Sequence, residues 1–168
     1  TDNALTVTTS TDVLGNDTIS TSTTKYTYAD FTTTLGVRVL RFDTIETIST
    51  TSGTDLYGGN WHQTTPLVIT QVYKKIFGKD LFVYDYYIGV NTNYALNKKV
   101  ALFDSLGVAL QGRQYVLGTI DTLSTGEDIF GNATNTTTKT QYFLLKGKLV
   151  TDNALTVTTS TDVLGNDT

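Results

Sequence analysis

The sequence has no cysteine and no methionine, and only one proline, one histidine and one tryptophan in 168 residues. Without thiols it forms no disulfide, no thiolate nucleophile and no soft-metal site, and His62 alone is too little for zinc. No D-x-[DN]-x-[DN]-G loop offers calcium a cage; Asp12, Asn16 and Asp17 cluster oxygen-bearing side chains, but in a turn such residues ordinarily cap and solvate. There is no G-x-S-x-G elbow and no phosphate-binding glycine pattern. Glu127 and Asp128 are sequence neighbours, so in a strand they face opposite ways and serve no common substrate. The expectation is a protein that is not an enzyme and takes no metal or cofactor.

Charge is also scarce. Charged residues make up 17 % of the chain and the net charge is −4, against about a quarter charged in an ordinary domain. Nothing in this balance suits nucleic acid. No apolar run reaches the ~18 residues of a membrane-spanning helix, so no membrane span is expected. The chain begins at a threonine, and the expectation is a secreted, extracellular or cell-surface protein whose leader has been removed. Asn16, Asn132, Asn135 and Asn166 lie in Asn-x-Thr sequons and are candidate glycosylation sites.

What fills the gap is threonine, about one residue in five, together with 39 % hydrophobic and 11 % aromatic residues, enough apolar content for a core. Apolar positions alternate with a period of two, which predicts strands. "LGVRVLRF" sets Leu35, Val37 and Val39 against Arg38, Leu40 and Phe42. "PLVITQVYKKIFGKDLFVYDYYIGV" reads as two strands joined at Gly78, Lys79 and Asp80, the second sending Phe82, Tyr84, Tyr86 and Ile88 to one side. "VALFDSLGVALQG" reads as a hairpin turning near Asp104 to Gly107. "RQYVLGTIDTL" and "TQYFLLKGKLV" read as one strand each, the latter with Phe143, Leu145 and Leu149 on one face and with Lys146 and Lys148 as edge protection. "TNYALNKKVALF" is the best helix candidate and fits a loop equally well. "SGTDLYGGNWHQTTP" and "STGEDIFGNATNTTTKT" read as ordered surface loops.

The most informative feature is a duplication. "TDNALTVTTSTDVLGNDT" occupies residues 1 to 18 and again 151 to 168. In it Leu5, Val7, Thr9, Thr11 and Val13 alternate with polar residues, so it is a strand with an apolar face, and no tight turn signal separates it from "ISTSTTKYTYADF". A sheet that lacks an edge strand is a template for an added one, and a head-to-tail addition propagates. On this duplication, its alternation and the all-β body, the chain resembles donor-strand-complemented pilins and extracellular filament subunits, of the archaeal thread, bundling-pilus or TasA-like fibre kind.

The resemblance implies an all-β, single two-sheet antiparallel sandwich, Ig-like or jelly-roll, completed by an added donor strand. Residues 1–18 would be the donor extension, 19–150 an incomplete sandwich body, and 151–168 a neighbour's strand or a self-complementing copy. Leu155, Val157, Thr159 and Val163, standing for Leu5, Val7, Thr9 and Val13 of a neighbour, would fill a groove lined by Val37, Val39, Phe143, Leu145 and Leu149. The implied role is a structural subunit of a pilus-like filament for adhesion or cell–cell contact, with copies of itself as partners and a surface or glycan receptor as a further one. The duplication also suits one repeat of a giant tandem-repeat adhesin, whose next repeat would open at residue 151. A third reading is a carbohydrate-binding module using the "GGNWHQTT" segment around Trp61 and His62.

Overall fold

The computed structural model describes residues 2–167, and these are all β apart from one short turn of 3-10 helix at Tyr94–Leu96. The strands are β1 (Asn3–Thr11), β2 (Asp17–Thr32), β3 (Arg38–Thr54), β4 (Asn60–Gln63), β5 (Leu67–Lys75), β6 (Phe82–Gly89), β7 (Lys98–Ala101), β8 (Arg113–Tyr115), β9 (Ile120–Glu127), β10 (Ala133–Leu145) and β11 (Lys148–Thr161). Every pairing between them is antiparallel, and all belong to one eleven-stranded sheet.

The sheet forks at β3. β3 pairs with β2 along its whole length on one edge. On the other edge its residues Thr44–Ser49 pair with β5, while Ser52–Thr54 pair with β4. One branch continues β4-β9-β10-β11, the other β5-β6-β7. The chain crosses between branches at residues 64–66, where the Thr64 amide donates to the Leu123 carbonyl and Pro66, which has no amide to donate, precedes β5.

The core lies where the branches face each other. Tyr86 and Ile88 of β6 and Val100 of β7 meet Ile120 of β9 and Leu144 of β10, with Leu102 and Val116 from the connections. Asp85 is buried beside it, between Lys74 at 2.8 Å and Lys99 at 3.0 Å. Burial pushes its carboxyl up, but the two ammonium groups outweigh this and hold it below the ordinary carboxylate value. Its contribution to stability is therefore complete above the unfolded value of about 4 and is lost as pH falls through the lowered one. Asp85→Asn should destabilise the fold by about 1–2 kcal/mol at neutral pH, since both lysines are half exposed, and flatten its acid limb, as read by urea denaturation from pH 7 to 3. An unchanged acid limb would mean that other carboxylates carry it.

Away from the fork the sheet is a single layer. All nine residues of β1 are exposed, as are most of β11, and Leu5, Val7, Leu155 and Val157 are 69, 55, 61 and 52 % exposed. Hydroxyl pairs across strands hold this layer where a core is missing: Thr24 with Thr47 at 3.0 Å, Thr136 with Thr158 at 3.0 Å, Thr138 with Thr156 at 3.3 Å. Threonine suits both needs, since its branched carbon favours the strand and its hydroxyl tolerates water.

Several expectations change accordingly. The helix candidate is the 3-10 turn followed by β7. "RQYVLGTIDTL" is two strands broken near Gly118, whose φ is 77°. "TQYFLLKGKLV" is a hairpin: Lys146 and Gly147, both at positive φ, turn the chain, so Leu149 lies opposite Leu144 on the next strand rather than beside Leu145 on the same one. Both supposed loops contain strand: the first holds β4, the second the β9–β10 hairpin.

Candidate functional site

The two copies of the repeated segment lie at opposite ends of the sheet. In the first, β1 pairs with β2, Asn3 opposite Lys25 through Thr11 opposite Asp17. The turn that the sequence did not announce is there: Asp12 Oδ1 accepts the Leu14 and Asn16 amides, the Gly15 amide donates to the Asp12 carbonyl, and Gly15 has φ 87°. In the second copy, β11 pairs instead with β10, Ala133 opposite Thr161 and Asn135 opposite Thr159.

The edges used are opposite ones. The Asp12 amide donates to the Asn16 carbonyl and the Tyr26 amide to the Asp2 carbonyl, so the even residues of β1 point their amides and carbonyls at β2. In β10 the even residues point at β9, because the Asp128 amide donates to Asn132 at the head of that ladder. The odd ones therefore serve β11, and through them the odd residues of β11. Its even residues face outward. There the second copy has begun the same return: the Asp162 amide donates to the Asn166 carbonyl, and Thr161 bridges Asp167 on the edge opposite Ala133. Thr161 Oγ1 reaches Asp167 Oδ1 at 2.6 Å as Thr11 Oγ1 reaches Asp17 Oδ1 at 2.5 Å.

The pairings can be followed across the whole sheet. Thr11 faces Asp17, Asp17 faces Thr54, Thr54 faces Asn60, Asn60 faces Glu127, Glu127 faces Ala133, and Ala133 faces Thr161. The row that starts at position 11 ends at position 161, the same residue of the second copy. The next row on the same face runs from Thr9 through Ile19, Ser52, His62, Thr125 and Asn135 to Thr159. Crossing the sheet thus returns the segment to itself with no stagger.

One rim of the sheet carries a second repeat that sequence reading missed. Four turns of the pattern Asp-x-apolar-Gly lie along it: Asp12–Gly15, Asp55–Gly58, Asp128–Gly131 and Asp162–Gly165, each with its aspartate accepting amides two and four residues on. The Asp12 and Asp162 carboxyls are held below the usual range by the side-chain amides of Asn16 and Asn166, and Asp128 by the Asn132 backbone amide. The turns touch in sequence. Asn16 Oδ1 accepts the Leu56 amide at 3.1 Å, and side chains added at Gly58 and Gly131 would meet Ile129 and Val163 at 3.7 and 3.2 Å. Their tips, among them Val13, Tyr57, Phe130 and Leu164, are exposed and form an apolar line. The fivefold spacing of Asp and Gly, at Asp104 as well, was the available signal.

The residues expected to build a groove do not meet. Val39 faces Phe31 of β2, Val37 is exposed in the β2–β3 turn, and Phe143 is buried under β10, where Tyr115 of β8 lies opposite it. Val13 and Val163 sit in turns, and Leu5, Val7, Thr9, Leu155, Val157 and Thr159 are exposed on strands. The segment docks edge-on, through its backbone. The side-chain amides of Asn16 and Asn132 bond Asp12 and Asp128 at 2.8 and 2.7 Å, while Asn135 is exposed on β10.

Trp61 lies across two glycines. A side chain at Gly53 would come within 2.4 Å of its Nε1, and one at Gly126 within 3.0 Å of its Cβ. Gly53→Ala should therefore displace the indole, shift the fluorescence of this sole tryptophan to the red and cost about 1–3 kcal/mol; unchanged emission would refute this packing. His62, on the other face, comes within 3.3 Å of Thr125 Oγ1. No family model matches this chain, and neither a curated protein nor a solved structure is similar to it.

Proposed function

We propose that the chain is a structural unit of an extracellular filament that grows head to tail by strand complementation, the terminal segment of one unit completing the sheet of the next. One observation carries this reading: identical segments end the sheet on opposite sides, the first pairing with β2 through its even residues and the second with β10 through its odd ones, so that each uses the edge the other turns outward. Unpaired edges of long strands recruit further strands, and a contact between two different edges propagates instead of closing. The mechanism is mechanical, with backbone ladders for affinity and the turn line for alignment.

A second reading, one repeat of a tandem surface adhesin, is favoured by the hairpin at Lys146 and Gly147. Lys148 to Val150 belong to β11 together with the repeated residues that follow, so the strand runs unbroken through the junction apart from a bulge beside Gln141 and Tyr142. The two readings differ by one peptide bond, between Val150 and Thr151. The intact mass of the denatured natural polypeptide tests them. A mass below 18.3 kDa by one eighteen-residue segment marks a non-covalent filament subunit. A mass many times larger marks a covalent array and overturns the non-covalent filament.

A further inference from the structure

The zero stagger across the sheet fixes how the next unit attaches. We infer that the partner at each end is a second copy of this chain's 150-residue repeat, added without any shift of register. Strand 151–161 then bonds β10 of one unit through its odd residues and β2 of the next through its even residues. This rests on the reading that units join through the terminal segment, and it specifies the joint.

Three observations converge on it. The outward even positions of β11 are those that β1 uses for β2, and the return bridge at Thr161 and Asp167 already lays down the first pair of that ladder. The rows from Thr9 and Thr11 end at Thr159 and Thr161, so a unit placed there continues these rows in line. The turn line crosses the joint as well: the 162–166 turn presents Asn166 where the first copy presents Asn16, whose oxygen holds the Leu56 amide of the next turn. An unrelated strand would satisfy the backbone but would bring no 55–59 turn to this position.

The product is one uninterrupted antiparallel sheet with six strands per unit, β2, β3, β4, β9, β10 and the shared strand. At about 4.8 Å per strand the unit advances roughly 29 Å.

The test is amide hydrogen exchange at single-residue resolution on the full chain and on a two-unit chain, residues 1–168 followed by residues 19–168. In the full chain, even amides from 4 to 10 and odd amides from 155 to 161 should be protected, while odd amides from 5 to 9 and even amides from 154 to 158 exchange freely. In the two-unit chain, the middle copy should gain protection at both parities, by about 100-fold or more at the positions newly covered. Protection at a single parity in the middle copy overturns the shared strand, even where filaments form through other contacts. Both parities protected here, with natural material that forms no filament, would overturn the filament reading and leave the joint standing.

Discussion

Ending the chain at Val150 should turn a monomer into a polymer. With both copies present, each ladder is satisfied within the chain: β2 is covered by β1, and β10 by β11. Exchanging a terminal segment between two such chains breaks as many hydrogen bonds as it makes, so strand exchange by itself does not drive association. Without residues 151–168, the odd amides and carbonyls of β10 from Ala133 to Gln141 lose their partners, and the β1 of a neighbour is the identical replacement. A ladder of roughly ten bonds at ~1 kcal/mol each works against an association cost of ~4–15 kcal/mol. At the low end of that cost the net gain is about 6 kcal/mol, so growth should be concentration-dependent, with a critical concentration of roughly tens of micromolar or above. Size-exclusion chromatography and electron microscopy check this, and a synthetic peptide of residues 151–168 should stop growth by capping β10. A truncated chain that stays monomeric at high concentration while remaining folded would sink strand complementation.

Proline at two adjacent positions should have opposite effects in the two copies. The Thr8 amide points to Ser20 of β2, whereas the Thr158 amide, at the same place in the repeat, points outward. Thr8→Pro therefore removes a ladder bond and should cost about 1–3 kcal/mol, while Thr158→Pro, which loses only its hydroxyl contact with Thr136, should cost the single chain less and block addition of a further unit. One residue on, the effects reverse: Thr159→Pro breaks the bond to β10, and Thr9→Pro is tolerated. Thermal melts of the four variants are the measurement. Equal losses for Thr8→Pro and Thr158→Pro would mean that the two copies use the same edge.

The duplication, the strand-rich body and the β5–β6 turn at Gly78 to Asp80 were legible because each has a local cause. A repeat is visible as such, alternation of apolar residues has the strand period, and a glycine between two apolar runs marks a hairpin. The burial of the repeated segment was not legible. Leu5 and Val7 alternate like a core-facing strand, but their neighbours across the sheet, Thr23 and Thr21, belong to a layer with nothing packed on it. Threonine is the reason: it sits equally well on either face, so a threonine-rich strand does not say which side is inside. The same ambiguity hid β4 and the start of β10, whose polar residues read as loop until the Asp55 and Asp128 turns were seen to be hairpins. The fork at β3 depends on which half of a seventeen-residue strand meets which partner, a long-range choice that no local pattern encodes.

The brevity of β4 matters once the sheet is pulled along its hydrogen-bond direction. Tension in a continuous strip passes from strand to strand, and each seam resists in proportion to the residues it pairs. β2 and β3 share sixteen pairs, β10 and β11 thirteen, but β3 and β4 only three. In the proposed filament the strip would therefore part first inside a unit, beside Trp61, and not at the joint between units. When that seam opens, the other branch still spans the gap, because Ile88 of β6 and Leu144 of β10 belong to one core that lies beside the strip. In the proposed filament each unit would thus contain its own fuse, bridged by a spring.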